Sequence, residues 1–147
     1  MTTANDRTTA ESQIRTLIDD RVKAVRARDM KGAYSSTAND ILSFDVVNPL
    51  QYAGEASRKH AGEWFSSFDG PIGYEVRDLN VTTGDDVAFS HCLNRFSGRK
   101  ADGAKIDMWV RATTCYRKND GKWMITHEHM SVPFDAASGK ASLDLQP

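Results

Sequence analysis

The stretch that decides the fold runs KIDMWVRATTCYRK over Lys105–Lys118, NDG at Asn119-Asp120-Gly121, and KWMITHEHMSVP over Lys122–Pro133. Both arms are rich in β-branched and aromatic residues, and Asn-Asp-Gly supplies the positive-φ positions that a tight hairpin loop needs. Pairing Arg117 with Trp123 sets Thr113 opposite His127, Arg111 opposite His129 and Trp109 opposite Ser131. Alternation then divides the arms between two faces. Trp109, Arg111 and Thr113 share one face with Ile125, His127, His129 and Ser131. The other face carries Met108, Val110, Ala112, Thr114 and Tyr116 with Thr126, Glu128, Met130 and Val132.

Upstream of this hairpin, Tyr74–Thr83 and Val87–Ser97 read as two more long strands, with turns at Gly84-Asp85-Asp86 and at Gly98 to Gly103. Before Gly73 the pattern is helical. Ile14, Leu17, Ile18, Val22 and Val25 recur at helical period behind a Thr8/Glu11 capping box, which predicts a helix from about Thr9 to Arg28. Asp29 caps a short second helix through Tyr34. Ile41–Val47 reads as a strand that Asn48-Pro49 ends. Gly54 opens a third helix whose buried stripe is Ala61, Trp64, Phe65 and Phe68, with His60 at its edge. Helices first and strands afterwards predict an α+β fold. Strands this long curl, so the expected architecture is a cone-shaped curved antiparallel sheet with the N-terminal helices covering its concave face. The expected divisions are a flexible N-terminus over 1–8, one domain over 9–134 and a polar C-terminal tail over 135–147.

A chain of 147 residues fits one domain. Its 19 basic and 20 acidic residues leave a net charge of −1, and no basic stripe or Lys/Arg-rich helix recommends nucleic acid or a membrane as partner. The N-terminus has neither a basic region nor an apolar run, and a cytoplasmic protein is the expectation. Cys92 and Cys115 make neither a disulfide framework nor a zinc spacing; each sits in a strand as a small buried thiol. No phosphate-binding loop is present and no cofactor is implied.

Ligand pockets are mostly apolar with a few placed polar groups. That describes the face bearing Asn94, Thr114, Tyr116, Glu128 and Met130, with Tyr34, Tyr52 and Trp64 closing the cavity from the helical side. The opposite face, with Trp109, Arg111, His127 and His129, has the mixed composition of a protein–protein interface. It predicts a homodimer. His127 and His129 lie about 7 Å apart on that face, yet two ligands make no metal site. They read as a structural pair bonded to Thr113 and Ser131.

The order of elements, Asp45…Gly54-Glu-Ala and the ending Asp-Gly-Lys-Trp-x-Ile-x-His-x-His-x-Ser-x-Pro together resemble the nuclear transport factor 2-like superfamily. More narrowly, they resemble the SnoaL-like and ketosteroid-isomerase-like proteins. The resemblance covers roughly Ile14 to Pro133. It implies a catalytic base at Asp45, nine residues before Gly54. The isomerases' oxyanion donors fall here at Arg21 and near Thr113 or Thr114, so neither donor is reproduced and steroid isomerisation is not implied. The same ending resembles the association domain of calcium/calmodulin-dependent kinase, whose pocket arginines fall at Asn94, Thr114 and Met130.

Asp45 follows the apolar run Ile41-Leu-Ser-Phe, with Phe44 and Trp64 as apolar neighbours and no cationic partner near it in sequence. Desolvation there would make it a better proton acceptor near neutral pH. The chemical expectation is a small-molecule pocket protein for an apolar or carbonyl-containing ligand. It is either an isomerase, cyclase or hydratase with Asp45 as base, Asn94 and Tyr52 polarising the substrate and Glu128 as second acid/base, or a binder without chemistry. The alternative is a non-catalytic oligomerisation domain of the kinase-association type.

Overall fold

A capping box starts the chain's first element. Thr3 Oγ1 accepts from Asp6 N while Asp6 Oδ2 accepts from Thr3 N, each at 3.1 Å. Helix α1 therefore spans Ala4–Arg26, beginning earlier than the Thr8/Glu11 signal suggested. Of the segment expected to be flexible, residues 3–8 are cap and helix, and residues 1 and 2 lie outside the described residues of this computed structural model, which are 3–147.

Asp29 caps α2 (Met30–Ala33), and Gly54 precedes α3 (Glu55–Ser66). The strands are β1 (Thr37–Phe44), β2 (Tyr52–Ala53), β3 (Gly73–Thr83), β4 (Val87–Arg99), β5 (Lys105–Asn119) and β6 (Lys122–Ser131). They form one sheet in the order β2-β1-β6-β5-β4-β3. Four of its pairings are antiparallel, while β1 runs parallel to β6, so the sheet is mixed rather than wholly antiparallel. The fold is α+β, with helices on the concave face of a curved sheet. Register irregularities in β1, in β3 around Asp78 and between β5 and β6 mark where the ladder bends.

The β5–β6 register differs from the expected one for two physical reasons. Asp120 (φ 49°) and Gly121 (φ 76°) alone make the loop, so Asn119 pairs with Lys122 and Lys118, not Arg117, faces Trp123. Further along, Tyr116 pairs with Ile125 but Cys115 pairs with His127, leaving Thr126 as an extra residue. Beyond this bulge Thr113 faces His129 and Arg111 faces Ser131. The extra residue also changes the faces. Ile125 points inward with Tyr116, not outward with His127 as strict alternation requires.

Two apolar clusters lie under the helices. Ile14 of α1 packs with Ile41, Tyr116, Trp123 and Ile125, and Trp123 Nε1 donates to Gln13 Oε1 at 3.1 Å. At the other end Val25, Phe68, Ile72, Tyr74, Phe96 and Val110 form the second cluster. The end of α1 is tied to β3 and the loop before it: Arg28 donates to Phe68 O and Gly70 O, and Arg26 to Tyr74 O. Between the clusters the helices do not fill the concavity. No helix among the described residues is long and apolar enough to cross a membrane.

Candidate functional site

A cavity of about 90 Å³ opens between the inner face of the sheet and helices α1 and α3. From the strands, Asn94, Thr114, Tyr116, Glu128 and Met130 line it. Tyr34, Asp45 and Tyr52 line it from the helical side and the loops. Trp64 belongs instead to an adjoining apolar chamber of about 70 Å³, which also has Asp45 in its wall. The reason is helical spacing: Ala61 faces both chambers, while Trp64, nearly one turn on, packs edge-on against Phe68 and Phe96.

Asp45 stands just past the end of β1, and its surroundings differ from the apolar setting expected. Its Oδ2 lies 2.7 Å from His60 Nε2, and its Oδ1 accepts from Val46 N at 2.6 Å. An ionised carboxylate only accepts, so this contact assigns the proton to His60 Nε2. The two side chains are 18 % and 22 % exposed. His60 is thus a cavity residue rather than an edge residue. Tyr52 stacks on its imidazole at 4.0 Å and 12°. The Tyr52 hydroxyl donates to Asn48 O at 2.9 Å, so it positions His60 rather than polarising a ligand.

Across the cavity, Arg21 reaches from α1 to Glu128 on β6. Its two terminal nitrogens meet the two carboxylate oxygens in a fork, Nη2 donating to Oε2 at 3.1 Å. Burial works against the guanidinium charge, but the charge of Glu128 and its hydrogen bonds prevail and hold Arg21 above its ordinary pKa. Glu128 is therefore committed to Arg21 and is not a free second acid/base.

The Tyr34 hydroxyl is buried and has no hydrogen-bond partner among the described residues. Burial pushes its pKa up to about 12; Arg21 opposes that, while Glu128 and Asp45 reinforce it. It is a neutral donor lying in the fields of Arg21, Glu128 and Asp45. Tyr116 is likewise pushed to about 12 by burial and shares a 2.8 Å hydrogen bond with Ser90 Oγ. Cys92 donates to Asn94 Oδ1 at 3.2 Å, and burial, then Glu128, push its thiol to about 11. It is a protonated thiol, not a nucleophile.

The residues expected at an interface lie on the outer face. His127 Nδ1 is 2.7 Å from Leu42 O, and Phe44 sits edge-on to both His127 and His129. Ser131 Oγ accepts from Arg111 Nε at 3.1 Å, so it serves Arg111 rather than the histidines. The Trp109 ring N–H is buried without a partner among the described residues.

Arg21 and His60 line the cavity as well, although neither is among the expected site residues. Arg21 lies on the α1 stripe, seven residues after Ile14 and four before Val25, which at helical period places it inward. His60 lies three residues after buried Ser57 and four before Trp64. A charged residue interrupting an apolar stripe is the signal for Arg21; for His60 the spacing to Ser57 and Trp64 along α3 is the signal.

A family model for the SnoaL-like domain matches residues 14–135. No curated protein matches the chain. Among solved structures, it is similar to an NTF2-like protein of unknown function from Pseudomonas putida KT2440, at 39 % identity over 95 % of this chain and 98 % of that one, with a TM-score of 0.86. A protein named as a candidate dehydratase from the NTF2-like family of Streptomyces avermitilis shares the fold at 15 % identity (85 % and 97 % covered, TM-score 0.74). The association domain of C. elegans CaMKII shares it at 16 % identity (86 % and 98 % covered, TM-score 0.66). With the family model spanning most of its length, this chain belongs to the SnoaL-like family of NTF2-like proteins.

Proposed function

We propose that the cavity takes a small carbonyl compound and moves a proton at the carbon beside the carbonyl, with Asp45 as base. The observation that carries this reading is the pairing of two unlike groups on one cavity: a carboxylate oriented by His60 at 2.7 Å, and the unpartnered hydroxyl of Tyr34. Asp45 takes the proton, and the C–H electron pair moves into an enolate whose oxygen accepts a hydrogen bond from Tyr34. Where a C=C bond lies beside the α-carbon, the enolate extends over it, and returning the proton to the far carbon gives an isomer. Passing it to a departing β-hydroxyl releases water, and attack of the enolate on a second carbonyl closes a ring. His60 holds the carboxylate in place, and Tyr52 holds His60. Tyr34 takes the polarising role for which the sequence suggested Asn94 and Tyr52.

The test is deuterium exchange at the α-carbon of a simple methyl ketone in D₂O, followed by proton NMR. The native protein should accelerate exchange, and Asp45→Asn should lose about 10²- to 10⁴-fold of that acceleration. Exchange no faster than in buffer, with the ketone bound, would mark a binder without chemistry. Native mass spectrometry of the purified protein would identify a retained ligand.

A homodimer through the outer face is part of the same proposal. Val87 and Phe89 on that face are 53 % and 45 % exposed, at one end of the β4–β5 ladder whose other end bears Arg111 and Trp109. Exposed aromatic and apolar groups among arginines suit a protein contact.

A further inference from the structure

The cavity and the adjoining chamber share a wall made by Asp45, Ala61, Phe65, Phe96 and Met130. The two spaces differ in character. The first holds Arg21, Glu128 and the Tyr34 hydroxyl; in the second, Asp45 is the one charged side chain, among Val46, Trp64, Met108 and Val110. A buried water needs two to four polar partners, which this second lining does not offer, so hydrocarbon is its better occupant. Methionine is unbranched and adapts its shape, and Met108 and Met130 let the chamber fit a flexible chain.

We infer that the substrate is a carbonyl compound whose α-carbon bears an apolar tail, with the tail in the Trp64–Met108 chamber. This rests on the reading of the first cavity as a carbonyl site. With the carbonyl oxygen on Tyr34, the α-carbon lies at Asp45, and the substituent leaves on the far side of that carboxylate. Asp45 is then the point where polar head and apolar tail divide. A proton at the tail-bearing α-carbon is the one within its reach.

The experiment titrates protein labelled at methionine methyls with straight-chain methyl ketones from butanone to nonanone, read by NMR. Butanone should move the Met130 signal alone, since Met130 faces both spaces. Longer ketones should also move Met108, and each methylene that enters the chamber should tighten binding roughly fourfold until the chamber is full. Met108→Trp, which fills the chamber at a half-buried position able to adjust, should flatten the series. Val110→Ala should extend the series by enlarging the same space.

Affinity that stays flat along the series, or a Met108 signal that never moves while Met130 does, overturns the tail chamber. Either result leaves the carbonyl site standing, because α-exchange of butanone measures that separately. Absence of any shift with every ketone overturns the tail chamber together with the carbonyl site beneath it.

Discussion

A charge on an apolar helix stripe costs desolvation, and Arg21 meets that cost only through Glu128. Removing one partner strands the other in the cavity. Arg21→Met or Glu128→Gln alone should therefore destabilise by about 3 kcal/mol, at the low end for a buried pair because the side chains remain 20 % and 14 % exposed. The double variant Arg21→Met/Glu128→Leu should return to within about 1 kcal/mol of the native protein. Urea unfolding of the three variants measures this. Tyr34 presents the opposite case. Its hydroxyl bonds to no described residue, so Tyr34→Phe should leave stability unchanged or raised by up to about 1 kcal/mol. The same change should lower α-exchange by about 10²- to 10³-fold. Equal loss of exchange and of stability would show Tyr34 to be a packing residue.

Among the elements, the long strands were legible because composition and turn residues agree: β3 to β6 fall within a residue or two of their expected limits. The start of α1 was not. Two rival capping signals lie five residues apart, and a local pattern cannot rank them. The two-residue strand β2 carries no pattern of its own; Tyr52 and Ala53 are strand only because β1 lies beside them. Asp45 stands out only through the resemblance, which its spacing to Gly54 carries, and it lines the cavity; its partner His60 lies 15 residues on, and only the fold brings them together. Glycines at positive φ are separable by what surrounds them. Gly121→Ala should cost about 1 kcal/mol, since φ is 76° but a new Cβ meets nothing within 4 Å. Gly98→Ala should cost more, because φ is 149° and the Cβ would come within 2.8 Å of the Phe68 ring and 2.9 Å of Pro71 O. Thermal unfolding of the two variants decides the order.

Taken whole, the molecule should be labile to alkali. Burial raises Tyr34 and Tyr116 to about 12 from 10.0, raises Tyr74 further, and raises Cys92 to about 11 from 9.0. Below pH 9 these groups are protonated in both states, and their contribution is fully present. As pH climbs from 9 to 12, the unfolded chain sheds protons that the folded chain keeps, so stability falls. Urea midpoints should decline across that window, and phenolate absorbance should lag behind that of the unfolded chain. The outer face predicts association: Trp109→Asp should yield monomers in sedimentation velocity, and an unchanged dimer would put the contact elsewhere.

The bulge at Thr126 reaches beyond geometry. On one side of it, Trp123 and Ile125 belong to the first apolar cluster; on the other, Glu128 and Met130 line the cavity wall. Thr126 and His127 together oppose Cys115, so the slack of one residue lets the two halves keep separate phases. A strand without that slack has a single phase, and a one-residue insertion or deletion turns its whole inward set outward. Here an alteration in length at residue 126 can be absorbed where it occurs. Selection, natural or in the laboratory, can thereby try changes of length at this one point without turning either half of the strand over, while Glu128 stays tied to Arg21.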